Sequence, residues 1–147
     1  MNLLRTFTMT GTSPAAASTT AVVANLSGLE KYSFFQIDAI ITGGTGGTVD
    51  LYIQRKVDTN TWLDWAHFTQ VSAATTKRYT VSTVANGTIV EVGQLNDAAN
   101  SGSLVLAANS FVGGHPGDDV RLVAVSGSGT SAGAVQTVYI SAYNLIT

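Results

Sequence analysis

The segment Tyr32-Ser33-Phe34-Phe35-Gln36-Ile37-Asp38-Ala39-Ile40-Ile41-Thr42 alternates with a period of two and reads as a strand over residues 32–42. Gly43-Gly44-Thr45-Gly46-Gly47 follows it, and the alternation resumes in Thr48-Val49-Asp50-Leu51-Tyr52-Ile53-Gln54-Arg55-Lys56. Successive side chains of a strand point to opposite faces. Phe35, Ile37, Ala39 and Ile41 therefore share one face, and Phe34, Gln36, Asp38 and Ile40 the other. In the second run Val49, Leu51 and Ile53 face one way, and Asp50, Tyr52 and Gln54 the other. An amphipathic helix would instead repeat its apolar positions every three to four residues. Glycine permits the positive φ of tight reversals, so strand, glycine loop and strand read as a hairpin.

The same period extends in both directions. Further strands are expected at 19–26, 61–69, 77–84, 87–94, 103–108, 119–126 and 134–145. Asp58-Thr59-Asn60-Thr61 reads as a reversal. Residues 126–133, Ser-Gly-Ser-Gly-Thr-Ser-Ala-Gly, are too polar and glycine-rich for a core and read as a loop tip. Ala15-Ala16-Ala17, between Pro14 and a Ser-Thr-Thr run, is too short for a stable helix. The pattern predicts an all-β fold: a single-domain antiparallel β-sandwich or jelly roll with little or no helix. Residues 19–147 form that domain, and residues 1–18 an N-terminal arm or edge segment.

A chain of 147 residues suits one core. Hydrophobic residues make up 45% and charged residues 11%. That charged share is less than half the roughly 25% usual in soluble domains. The surface must therefore be covered by Thr, Ser, Asn and Gly, and a free monomer would have weak colloidal protection. Such a surface suits a protein partly covered by neighbours. The net charge is −2, and Arg55, Lys56, Lys77 and Arg78 form no stripe, so nucleic acid is not an expected partner. There is no cysteine, which excludes disulfide and thiolate chemistry. No run of about 18 apolar residues predicts a membrane span. Thr6, Thr8 and Thr10 interrupt the apolar run that a signal peptide needs.

Candidate chemistry is sparse. His67 and His115 are the two histidines, and nothing in their spacing predicts a shared metal. Asp118-Asp119 beside Gly117 lacks the oxygen count of a calcium site. Asp58 with Asn60, and Asn96 with Asp97, read as turn formers. Asp38, Asp50 and Asp64 could supply a carboxylate pair for glycoside hydrolysis, Asp38 and Asp50 from adjacent strands of the hairpin. Each sits among apolar neighbours, as solvated strand-face carboxylates do. Gly43 to Gly47 lack the Lys-Ser/Thr ending of a phosphate loop. No catalytic, cofactor-binding or metal-binding residue is expected, and no cofactor.

Trp62 and Trp65 are three apart, which puts them on opposite faces of a strand. One can be core and the other exposed, and Tyr52 could lie across the turn from either. Trp62, Trp65 and Tyr52 are thus the candidate interface or sugar-stacking residues.

Three segments resemble small structural proteins of tailed bacteriophages: Ile37 to Gln54, Trp62-Leu63-Asp64-Trp65-Ala66-His67-Phe68-Thr69-Gln70, and Gly-Thr-Ser-Ala-Gly-Ala-Val-Gln-Thr-Val at 129–138. The likeness spans roughly residues 35–144 and lies in the style of the segments rather than in a diagnostic motif. It implies a non-enzymatic virion protein, first of all a capsid decoration or cement protein on the outer capsid surface. Its implied partners are the major capsid protein and further copies of itself, a homotrimer being favoured, with neither nucleic acid nor membrane. Such a protein is made in the host cytoplasm. The alternatives are a tail or neck structural or receptor-binding protein and a carbohydrate-binding β-sandwich module.

Overall fold

A computed structural model describes residues 2–16, 19–42, 47–68, 70–72, 76–82, 108, 110–112, 115–127 and 134–144. Ten strands run through them. They are β1 (Asn2–Thr12), β2 (Thr20–Leu26), β3 (Phe34–Thr42), β4 (Thr48–Lys56), β5 (Trp62–His67), β6 (Val71–Ser72), β7 (Thr76–Ser82), β8 (Ser110–Phe111), β9 (Val120–Ser126) and β10 (Val135–Asn144). No helix occurs among the described residues. The strands expected at 87–94 and 103–108 lie outside the described residues, apart from Ala108, which sits in a turn.

Two antiparallel sheets pack face to face. One has the order β1-β10-β3-β7; the other is β2-β9-β4-β5-β8, with β6 beside the start of β4. The eight long strands pair first with last, second with seventh, third with sixth and fourth with fifth. β10 then joins β3, and β9 joins β4. That is the winding of a jelly roll, in which the chain passes back and forth between two layers on either side of the β4–β5 hairpin. The all-β sandwich expected from the alternation is therefore what the chain adopts.

The expected hairpin is not there. β3 belongs to the four-stranded sheet and β4 to the other, so the passage from Thr42 to Thr48 crosses between layers. Asp38 and Asp50 consequently stand in different sheets rather than on adjacent strands. Period-two alternation reports which face of a strand is apolar. It does not report which strand lies alongside. The true hairpin is β4–β5, closed where Val57 N–H donates to Thr61 O at 3.0 Å. The Asp58 carboxylate accepts the N–H groups of Asn60 and Thr61 at 2.9 and 2.8 Å, as a turn-forming Asp does.

The inward faces supply the core. Phe35, Ile37, Ala39 and Ile41 of β3 meet Val49, Leu51 and Ile53 of β4, with Leu122, Val138 and Ile140 between. Each fully buried aliphatic side chain contributes about 1.5–3 kcal/mol of transfer free energy. A chain of rings runs through one end of the core: Phe7–Tyr32, Tyr32–Phe35, Phe35–Trp65 and Trp65–Phe111, with centroids 5.4–6.5 Å apart. The first three contacts are edge-to-face, the geometry the ring quadrupoles favour.

Residues 2–12 are part of the sandwich. β1 pairs along its length with β10 and buries Phe7 and Met9 in the core. Where β1 turns toward the other layer, Gly11 touches β2: a Cβ there would lie 2.5 Å from Val23 Cβ and 2.6 Å from Val23 O. The two sheets are thus joined at this edge by backbone that only glycine allows to approach so closely.

Candidate functional site

The two outer faces of the sandwich differ. On the β2-β9-β4-β5 sheet the outward positions at the middle of the face are themselves buried, while Val22 on its β2 edge is 43% exposed. Tyr52, Gln54, Asp64, His67 and Val123 are all at most 7% exposed. Polar groups there satisfy one another. Arg121 Nε donates to Gln54 Oε1 at 2.8 Å, and Gln54 Nε2 to Asp64 Oδ1 at 2.7 Å. Tyr52 stacks on His67 with centroids 3.9 Å apart, and His67 Nε2 is 3.4 Å from Asp50 Oδ1. Gln70 Nε2 donates to the other oxygen of Asp50 at 2.8 Å. Burial, with the Asp50 and Asp64 carboxylates nearby, pushes the Tyr52 phenol well above its ordinary value. This ring is an uncharged structural element at all physiological pH values.

The three aromatic candidates separate accordingly. Trp65 is fully buried in the core, and its Nε1 has no hydrogen-bond partner among the described residues. Tyr52 is 5% exposed. Neither can present a stacking surface. Trp62 is half-buried at the far end of β5, across from Lys56, not near Tyr52, whose neighbour is His67. The register irregularity opposite Ile53/Gln54 leaves both Trp65 and Ala66 in the core. The Arg121 guanidinium lies 4.5 Å from the Trp62 centroid and the Lys56 ammonium 5.9 Å from it. Arg121 thus covers one face of the indole, and ties it to the buried Gln54–Asp64 pair.

Beside Lys56 is an open cleft of about 330 Å³ lined by Lys56, Val57, Asp58, Thr59, Asp118 and Asp119. Its carboxylates are engaged. Asp119 pairs with Lys56 at 3.5 Å. The hydrogen bonds from Asn60 and Thr61 hold Asp58 below its ordinary value. Asp118 is lowered likewise by the Glu30 side chain and by the N–H of Gly28, 2.6 Å away. No cluster of three or more His, Cys, Asp or Glu among the described residues could hold a metal. His115 reaches Tyr32 O through Nε2 at 2.8 Å and accepts Gly117 N–H at Nδ1, so it organises a turn.

The outer face of the four-stranded sheet is the open one. Thr6, Thr8 and Thr10 of β1 are exposed. They stand beside Ser141, Tyr139 and Thr137 of β10, and Gln36, Asp38 and Ile40 of β3 follow in the same rows. Tyr139 is 38% and Val135 47% exposed. Asp38 is the one charged group among the described side chains of this face, and it accepts a hydrogen bond from Gln36 at 3.0 Å. Thr6 and Ser141 hydroxyls are 3.3 Å apart. The period-two threonines at 6, 8, 10 and 12 were the signal for this row in the sequence; the partner strand β10 that widens it into a face was not.

The described strands define a jelly-roll sandwich whose four-stranded sheet carries the more open outer face. No family model, no curated protein and no solved structure matches it.

Proposed function

We propose that this protein is a non-enzymatic structural protein of a bacteriophage particle, acting as a capsid decoration or cement protein. The observation that carries the reading is the open face of the four-stranded sheet: hydroxyl-rich, studded with Tyr139, Val135 and Ile40, and with Asp38 as the one charge among its described side chains. Water leaves such a face at low desolvation cost, because few ionic groups must be stripped of hydration. Tyr139 has the amphipathic ring that anchors protein interfaces. The resemblance of residues 35–144 to phage structural proteins names the partner, the major capsid protein on the outer surface of the shell. Contact with two adjacent shell subunits raises the work needed to separate them, and repetition over the shell multiplies the effect.

The test compares shells with and without the protein under heat or low salt. Bound wild-type protein is expected to delay disruption. The Tyr139→Asp variant, altered on the exposed face alone, is expected to keep its fold and lose shell binding. Equal shell stability in all cases overturns the cement role. A second reading, a receptor-binding or sugar-binding tail domain, draws on the half-buried Trp62 beside an open cleft. A glycan array that registers binding abolished by Trp62→Ala would favour it instead.

A further inference from the structure

We infer that β1 is a pairing edge for a second copy of this chain, the two β1 strands meeting antiparallel across a two-fold axis to join their four-stranded sheets into one. Among the described residues β1 ends its sheet: it pairs with β10 on one side and with none of the described strands on the other. An unpaired edge presents a row of backbone donors and acceptors, and proteins ordinarily blunt it with charge, proline, irregularity or brevity. The other edges carry such devices. β7 has consecutive cations, Lys77 and Arg78. β2 is irregular between Val22 and Ala24. β8 is two residues long. β1 is eleven residues long and has no proline; its one irregularity falls near its start, between Leu3 and Arg5, which leaves Arg5 to Thr12 regular, and Arg5 is its one charge, its guanidinium lying 4.5 Å from the centroid of the Phe7 ring of its own strand.

The sequence of β1 is self-complementary in the antiparallel sense. Val23 sits against Gly11 and the register breaks at Leu4, so the regular accessible edge is centred on Phe7, from Arg5 to Met9. Pairing about Phe7 sets Thr6 opposite Thr8 twice and Arg5 opposite Met9 twice. No like charges face each other, and Thr–Thr is a favourable cross-strand pair. Two-fold pairing of the same patch is the closed solution available to a single kind of edge. It makes the unit a dimer, in place of the trimer implied by the phage resemblance. This inference concerns self-association alone and stands whether or not the protein binds a shell.

Sedimentation velocity over a concentration series tests it on the full chain. Wild type is expected to sediment as a dimer that dissociates on dilution. Thr6→Lys/Thr8→Lys sets lysines opposite each other at two positions and is expected to weaken the dimer about tenfold or more. Thr6→Lys/Thr8→Glu sets opposite charges there and is expected to restore it. Both positions are exposed, so circular dichroism should show an unchanged fold. Amide hydrogen exchange of the wild type gives a second readout: protection of β1 amides should rise with protein concentration. A monomer at every concentration, a trimer, or a dimer indifferent to the two charge patterns overturns the proposal. So does β1 protection that is independent of concentration.

Discussion

Gln136 shows how much one side chain can hold. It is fully buried on the inward face of β10, where alternation would place an apolar residue. Its Oε1 accepts Thr42 N–H at 2.9 Å, and its Nε2 donates to Thr42 O at 2.8 Å and Ser13 Oγ at 2.9 Å. It thereby pins the end of β3 before the chain crosses to the other sheet, and the chain just after β1. Gln136→Leu keeps the apolar pattern but strands those partners, at about 1–3 kcal/mol for each group left buried and unpaired. Urea unfolding should show a loss of at least about 3 kcal/mol with an unchanged slope, since the effect is local. A neutral or stabilising result would mean that water replaces the amide. Two surface carboxylates make a different prediction. Asp58 and Asp118 are both held below 3.8 in the folded protein by the hydrogen bonds they accept. An unfolded chain binds those protons more readily, so each contribution is complete above about pH 4. It is lost as pH falls through the lowered folded values. Thermal melts at falling pH should show the midpoint dropping below about pH 4, and Asp58→Asn should flatten that decline. An identical acid limb in the variant would assign the drop to other groups.

At the level of strands, the join between β1 and β2 is the most sensitive point. A Cβ on Gly11 meets both Val23 Cβ and Val23 O, so the neighbour that must move is backbone. Gly11→Ala is expected to cost about 1–3 kcal/mol, the usual range for overpacking. Val23→Ala should not rescue it, because the 2.5 Å contact is to Cβ itself, which alanine retains. Denaturant curves of the two single variants and the double variant check this; full rescue would place the conflict at the Val23 methyls. The strands themselves were legible. Val49, Leu51 and Ile53 alternate with polar residues from Thr48 to Lys56, and β4 has those bounds. The assignment of β3 and β4 to different sheets was not legible, since both have one apolar face and a glycine-rich link serves a hairpin or a crossover equally well. Odd spacing correctly separated Trp62 from Trp65. Which of them is core depended on which face of β5 meets the other sheet, a tertiary fact absent from the strand's own pattern. The Arg121–Gln54–Asp64 row was invisible for a related reason: its members are up to 67 residues apart and meet only through the β4–β9 and β4–β5 registers.

For the molecule as a whole, jelly-roll winding makes the first strand depend on the last. β1 and β10 lie at opposite ends of the described chain and pair along ten register positions. Such long-range pairing is entropically slow to form, so folding should take milliseconds to seconds. It also decides what residues 1–18 are for. If they served only as an arm reaching a neighbour, their removal would leave the sandwich intact. In the fold, deleting residues 1–12 strips Phe7 and Met9 from the core and bares the edge of β10. Loss of each such buried side chain costs about 2–5 kcal/mol. The total stability of a domain is only about 5–15 kcal/mol. The truncated chain is therefore expected to lose its cooperative thermal transition and to aggregate through the exposed β10 edge. Near-ultraviolet circular dichroism should collapse with it, because Phe7 begins the ring chain that runs through Tyr32 and Phe35 to Trp65. A truncated protein that still melts cooperatively within a few degrees of the full chain would show that the other strands close the core alone. β1 would then be an appended edge rather than a wall of the sandwich.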